Sequence, residues 1–218
     1  MLTARKRSPQ TFAMLAWLYE FGARAAEIGL QRLRSVNLKS KLARPIHLKG
    51  GQAKVWHTLL PFCREALPLW IAERPAHITV PEHEAYLFPG TPGRCYTCKG
   101  TGKRPVLKRE GKRRFIDGIV DCHHCGTTGK RWGISRIEVH RTVVDVLTEA
   151  GVEAHHRHPH VLRHSIVTHL LDGGAPPKMI QDRVGHASLN TTMGYVNMTR
   201  KAQEELEAGL ADIYKGWT

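Results

Sequence analysis

Two copies of one cysteine knuckle divide this chain of 218 residues: Cys95-Tyr-Thr-Cys98-Lys-Gly-Thr-Gly and Cys122-His-His-Cys125-Gly-Thr-Thr-Gly. Each pair places two thiolates on a tight turn, and the trailing glycines let backbone N–H groups face the sulfurs. Together Cys95, Cys98, Cys122 and Cys125 make a closed tetrahedral site for zinc. Between the pairs lie 23 residues, slightly more than the common ribbon spacing. No position is left open for water, so the zinc expected here is structural. His123 or His124 in place of one cysteine is a less favoured ligand set. A redox pair is the rival reading, and two paired copies without a thioredoxin-like βαβ context argue against it. Five cysteines are too few for a disulfide scaffold of this length, and the fifth, Cys63, reads as a lone packed thiol.

The knuckles sit in a basic segment. Residues 94–131 hold eleven Lys and Arg against Glu110, Asp117 and Asp121, a difference of +8 out of +14 for the whole chain. This marks residues 91–131 as an insertion into a single domain made of 1–90 and 132–218. Between the knuckles, Lys103, Arg104, Lys108, Arg109, Lys112, Arg113 and Arg114 are opposed by one glutamate. A metal-stapled basic finger points to contact with DNA phosphates; its alternative is a solvated hairpin. The longest apolar run, residues 12–19, is too short to span a bilayer. Glu20 and Arg24 follow it at once, which argues against an export signal. The chain is expected in the cytoplasm, on nucleic acid, with no membrane partner.

Outside the insertion the pattern is mainly helical. Ser8-Pro9 is a helix start, and apolar residues recur at Phe12, Leu15, Ala16 and Tyr19 as far as Gly22. A second helix is expected over 24–33. Apolar residues 45–48 and 55–60 flank Gly50-Gly51, a β-hairpin signal. Residues 62–72 read as a helix interrupted by Pro68, and 85–88 as a short strand. A helix begins at Ser135 with Ile137, Val143, Val144 and Leu147 as its stripe. Others are expected over 160–171, 176–184, 188–196 and 201–214. The fold class is therefore α+β, mainly α with a small antiparallel sheet near the start.

Five segments carry chemistry: Gly22-Ala-Arg24-Ala-Ala-Glu27-Ile28; Lys49-Gly-Gly at the hairpin; His160-Val-Leu-Arg163-His164; Leu170-Leu-Asp-Gly-Gly; and Gly185-His186 followed by Tyr195. Covalent phosphodiester cleavage needs a nucleophile, a place for charge on the phosphorus oxygens and an acid for the leaving alkoxide. Tyrosine serves as the nucleophile if its phenolate is stabilised. Guanidinium forks match phosphate oxygens and stay charged. His160 and Arg163 are three apart on one helix and share a face near its positive end.

In order and spacing these residues resemble the catalytic domain of the tyrosine recombinase (phage integrase) family, over about residues 8–214 apart from 89–133. The resemblance implies Tyr195 as a nucleophile forming a 3′-phosphotyrosyl link, with Arg24 and Arg163 stabilising the transition state. It implies Lys49 as the acid for the 5′-oxygen, His160 as the group handling the tyrosine proton, and His186 as a hydrogen-bond donor to the phosphate. Glu27 supports the arginine's helix. Asn37 departs from an acidic residue common in the family, and Lys54 is the fallback for Lys49. No catalytic metal and no ATP are implied. The knuckles themselves resemble the cysteine-rich repeats of J-domain co-chaperones and small zinc ribbons.

The resulting expectation is a site-specific recombinase or integrase acting on double-stranded DNA, monomeric when free and tetrameric on its site. The alternatives are a type IB-like topoisomerase or telomere resolvase with the same chemistry, and a non-catalytic zinc DNA-binding protein on this scaffold. The family's N-terminal helical DNA clamp is expected to be missing, since seven residues precede the first expected helix. Leu206, Leu210, Ile213 and Trp217 form one stripe on the last helix, suited to its own domain or to a neighbouring subunit.

Overall fold

The computed structural model describes every residue except 49–50, 53–54, 96, 112, 123–124, 126, 187, 197–203 and 205–218. A helix not expected from the sequence, α1 (Leu2–Arg7), precedes the one that starts at Ser8. Proline disfavours a helical residue before it, so Ser8 is extended (φ −167°, ψ 156°) and the chain restarts as α2 (Pro9–Glu20). The Ser8 hydroxyl accepts the Thr11 N–H at 3.1 Å and caps the new helix. Every residue from Phe12 to Leu18 is buried, so α2 is enclosed on all sides rather than along one stripe.

Helix α3 (Ala25–Ile28) is a single turn, much shorter than expected. After it the chain turns to tertiary partners: Gln31 O accepts the Leu87 N–H at 2.9 Å, and Arg32 bridges Tyr86. Short strands follow as β1 (Val36–Asn37), β2 (Leu42–Ala43), β3 (Ile46–His47), β4 (Gly51–Gln52) and β5 (His57–Thr58). The expected hairpin exists but is tighter, pairing Ile46 with Gln52 and His47 with Gly51. The segment expected to complete it instead supplies β5, the edge of a three-stranded antiparallel sheet ordered β1-β2-β5.

Helix α4 (Pro61–Glu73) runs through Pro68 without ending there. Pro68 is exposed, so water can reach the carbonyl left without its N–H partner. Leu60 offers no side-chain cap, and the fully buried Glu20 of α2 replaces one by accepting the N–H groups of Leu60 at 2.9 Å and Cys63 at 3.0 Å. Residues 85–88 form no strand of their own; a 3-10 turn over Pro81–Ala85 leads into β6 (Pro89–Arg94).

The insertion continues as β7 (Lys103–Glu110), β8 (Arg113–Asp121) and β9 (Lys130–Gly133). Strands β6 and β9 pair as a stalk, and β7 and β8 as a two-stranded ribbon beyond the knuckles. The stalk's root lies on α3: a Cβ on Gly133 would stand 2.0 Å from Gly29 O, and one on Gly29 2.2 Å from Ile134 O. Glycine at both positions permits this backbone contact.

The chain ends, among the described residues, with α5 (Arg136–Glu149), α6 (Pro159–Asp172), α7 (Pro177–Val184) and α8 (Leu189–Val196). Ser135 and Glu138 form a reciprocal capping box on α5. That helix buries Val139, Val143, Val146 and Leu147; Ile137 is exposed, so the stripe lies one to two residues round from the expected one. The helix expected over 201–214 lies outside the described residues. One large core joins α1, α2, α4 and α5, and a smaller one of Ile166, Val167, Ile180 and Val184 lies between α6 and α7, with Tyr195 packed on it.

Candidate active site

Arg24 is the N-cap residue of α3, and Glu27 one turn later holds it twice. Glu27 Oε2 accepts the Arg24 backbone N–H at 2.8 Å, and Oε1 accepts from Arg24 Nη1 at 2.9 Å. The same Oε1 accepts the Leu48 N–H at 3.0 Å, and His47 Nδ1 lies 3.5 Å from Oε2. Burial works against ionising this carboxyl, but His47 and the two backbone donors outweigh it and hold its pKa at about 2. Gln31 adds a second tie to the hairpin, exchanging hydrogen bonds of 2.9 Å with Ile46 N and O. Strand β3 is thus anchored to the segment that carries Arg24. Lys49 and its fallback Lys54 lie outside the described residues.

Arg163, in the first turns of α6, is only 4% exposed. Its Nη1 donates to Gly22 O and, at 2.7 Å, to Val184 O, whereas Nη2 is buried with no hydrogen-bond partner. Burial, reinforced by the neighbouring Arg24 charge, lowers its pKa to about 10, which still leaves it cationic at neutral pH. A buried guanidinium with one edge anchored and one nitrogen free is suited to an incoming anionic oxygen.

Gly185 ends α7 in the left-handed region (φ 65°), and a Cβ there would lie 2.6 Å from the His47 ring. Glycine therefore closes α7 and leaves room for the His47 ring beside it. His186 Nδ1 meets Thr192 Oγ1 at 2.8 Å. Burial, with Arg163 and Arg24 nearby, lowers its pKa to about 4, so the ring is neutral at pH 7. Tyr195 on α8 stands with its ring 6.4 Å from that of His186 and nearly parallel to it, at 14°. Its hydroxyl hydrogen-bonds His164 Nδ1 at 2.5 Å, rather than His160. His160 instead lines a cavity of about 680 Å³ with Arg24, Leu48, Arg136, His140 and Arg141.

In the insertion the four knuckle sulfurs converge. Cys95 Sγ lies 3.8 Å from Cys122 Sγ, Cys98 Sγ lies 3.7 Å from Cys125 Sγ, and all four thiols are buried. The two knuckles repeat each other's bonds: Thr101 Oγ1 donates to Cys98 O as Thr128 Oγ1 does to Cys125 O. Gly102 N–H reaches Cys98 Sγ at 3.3 Å. His123 and His124 lie outside the described residues. On the ribbon Lys103, Lys108, Arg109, Arg113 and Arg114 are exposed, Arg104 is half-buried, and Lys112 lies outside the described residues. Lys108 is paired with Asp117 at 2.7 Å. Leu107, Ile116 and Ile119 are also exposed, an apolar content that the charge pattern did not suggest.

Residues 2–202 match the model of the phage integrase family. The chain belongs to that family. Among its curated relatives, the tyrosine recombinase XerD of Mycobacterium leprae is 41% identical over 198 residues, covering 90% of this chain and 51% of the relative. That of Mycobacterium tuberculosis is 32% identical over 209 residues, covering 95% and 52%. This phage integrase family chain therefore spans about half the length of the curated relatives it matches. The crystal structure of XerA recombinase has the same fold, with a TM-score of 0.62 and 20% identity over 95% of this chain and 60% of that one.

Three residues of this candidate site were given no role by the sequence reading. Thr192 orients His186, and His47 supports both Glu27 and Gly185; neither carries a spacing signal. His164 had one, since it lies four residues after His160 and shares its helix face.

Proposed function

We propose that this chain is a site-specific DNA recombinase or integrase that cuts and rejoins strands through a 3′-phosphotyrosyl intermediate. The carrying observation is the clustering of Arg24, Arg163, His186 and Tyr195, with a buried guanidinium nitrogen of Arg163 left free. In this reading Arg24 and Arg163 hold the non-bridging oxygens of the scissile phosphate. His186, fixed by Thr192, donates a hydrogen bond from its Nε2–H to that phosphate. Tyr195 attacks phosphorus, Lys49 protonates the departing 5′-oxygen, and His160 faces the phosphate from the cavity wall. ATP is not required, because the phosphotyrosine conserves the bond energy, and the guanidinium groups stabilise the charge that a catalytic metal would otherwise meet. The named relatives are tyrosine recombinases, and the XerH crystal structure, 18% identical at TM-score 0.56, is a post-cleavage complex with its difH substrate. Double-stranded DNA is the partner proposed here, with a monomer in solution and a tetramer on the site, working on cytoplasmic DNA. Among the described residues no helix is long and apolar enough to cross a membrane.

For the insertion, bounded near 91–131, the reading is a structural zinc held by Cys95, Cys98, Cys122 and Cys125. A tetrahedron with Zn–S bonds of about 2.3 Å has sulfur–sulfur edges of about 3.8 Å, matching the 3.7 and 3.8 Å separations of the cluster. Zinc would supply the crosslink that this small two-ribbon unit lacks in apolar core. The exposed basic residues of the ribbon are read as DNA phosphate contacts.

Trapping of a covalent protein–DNA adduct tests the central claim. The unaltered chain should form an adduct that survives denaturation, and Tyr195→Phe should form none while still binding DNA. Arg163→Ala should reduce adduct formation on the order of a hundredfold or more, through loss of a preorganised charge donor. An adduct persisting in Tyr195→Phe would discard the assignment.

A further inference from the structure

Beyond the knuckles, the ribbon of β7 and β8 carries an apolar row that belongs to neither helical core. Side chains alternate along a strand, so Lys103, Pro105, Leu107 and Arg109 share one face of β7. Their partners on β8 are Asp121, Ile119, Ile116 and Arg114. Ile116 and Ile119 are three apart and would fall on opposite faces of a regular strand. One extra residue, Asp117, stands between the partners of Val106 and Leu107, and this bulge brings both isoleucines to the same face. Leu107 is 60% exposed, Ile116 64% and Ile119 71%, with Pro105 exposed beside them. The row is bounded by Lys103 at its base and by Arg109 and Arg114 at its outer end. The reverse face differs: Val106 is half-buried, and Lys108 is paired with Asp117 at 2.7 Å. Resting on the reading of this ribbon as a DNA contact, we propose that its apolar face lies in the major groove of double-stranded DNA and reads thymine methyl groups there.

Charge selects the partner. Residues 103–121 hold seven Lys and Arg against three acidic residues, and the whole chain is +14, so a second copy meets like charge whereas a polyanion is attracted. Dimensions select the groove. Paired strands stand about 4.8 Å apart, and a two-stranded ribbon enters a major groove about 12 Å wide. A minor groove about 6 Å wide is too narrow for a ribbon bearing leucine and isoleucine. Chemistry selects the contact. The thymine C5-methyl is an apolar group displayed in the major groove, so aliphatic side chains gain by burying against it. Against a G·C pair the same side chains would leave base donors and acceptors dry and unpaired, which costs binding. With the apolar row on the base edges, Lys103, Arg109 and Arg114 reach the phosphates that border the groove. The charges then hold the ribbon on any duplex, and the apolar row discriminates between sequences.

The test uses the whole chain and duplexes selected from a random-sequence library by binding. The unaltered chain should enrich a run of A·T pairs that the double variant Leu107→Ser, Ile116→Ser does not. On the enriched duplex, uracil in place of the thymines of that run removes only the methyl groups. It should weaken binding of the unaltered chain about tenfold, the cost of one mismatched pair, and the double variant should bind both duplexes alike. The uracil arm leaves the protein unchanged, so its result does not depend on how the variant folds. Arg109→Ala with Arg114→Ala should weaken both duplexes to the same degree and flatten the salt dependence of binding. If that arginine variant binds as tightly as the unaltered chain, with the same salt dependence, DNA contact by the ribbon and this inference are overturned together. A weakened arginine variant with no uracil effect leaves phosphate contact standing and overturns the groove reading alone. Enrichment of the same run by the double variant overturns it, as does a double variant that weakens equally on both duplexes, the behaviour of a minor-groove wedge. A double variant that keeps full DNA binding and loses only chain–chain association assigns the row to a protein partner and overturns it as well.

Discussion

Single side chains in this molecule act by tying distant segments together. Glu27 is the clearest case, because it holds Arg24, the hairpin at Leu48 and His47 with one carboxylate. Its folded pKa lies below the ordinary value, so it stabilises the fold above about pH 4.5, and that contribution is lost as pH falls towards 2. Glu27→Gln should therefore cost stability at pH 7, on the order of 3 kcal/mol, and the gap between the two proteins should close near pH 2–3. Chemical denaturation at the two pH values measures this; a gap that stays constant with pH would remove the charge from the account. Gly185 is constrained twice, by its positive φ and by the His47 ring against its Cα. Gly185→Ala should destabilise by roughly 1–3 kcal/mol and slow adduct formation, since His186 follows directly. Thermal melting beside single-turnover cleavage checks both.

Among the elements, the insertion is the most independent. It joins the rest through the stalk of β6 and β9, whose partners Arg94 and Lys130 lie side by side where the knuckles begin. The freshly purified, reduced protein should hold one zinc per chain. Cys98→Ser, or chelation, should unfold the insertion and leave the two helical cores intact, because neither core includes a knuckle residue. Helical circular dichroism should change little while protease sites open within 95–130; loss of the helical signal on chelation would show that the insertion and the domain fold as one. The elements also show how far local pattern reaches. The Ser8 cap, the helix start at Ser135 and the helices α6, α7 and α8 were legible in the sequence. The short α3 was not, because Gln31 and Arg32 leave the helix for partners more than fifty residues away.

At the scale of the whole molecule, charge and assembly are linked. A net +14 opposes close approach of free chains and favours DNA, so assembly should depend on DNA and weaken as salt rises. Deleting residues 201–218, with the stripe of Leu206, Leu210, Ile213 and Trp217, should reduce cooperative assembly on a two-site duplex while the cleft residues remain. Sedimentation with and without duplex decides it; a truncated chain that assembles like the full one confines the stripe to its own domain. The sequence alone determined the family, the ordered set from Arg24 to Tyr195, the paired knuckles and the mainly helical class. Each of these rests on residue identity at short spacing, which needs no knowledge of the rest of the fold. Tertiary structure alone decided which histidine meets Tyr195, which strand completes the hairpin, and that Glu20 caps α4 from another helix. The contacts of Tyr195 with His164 and of Glu20 with Leu60 and Cys63 join residues tens of positions apart, so they follow from how the helices pack on one another rather than from any local run.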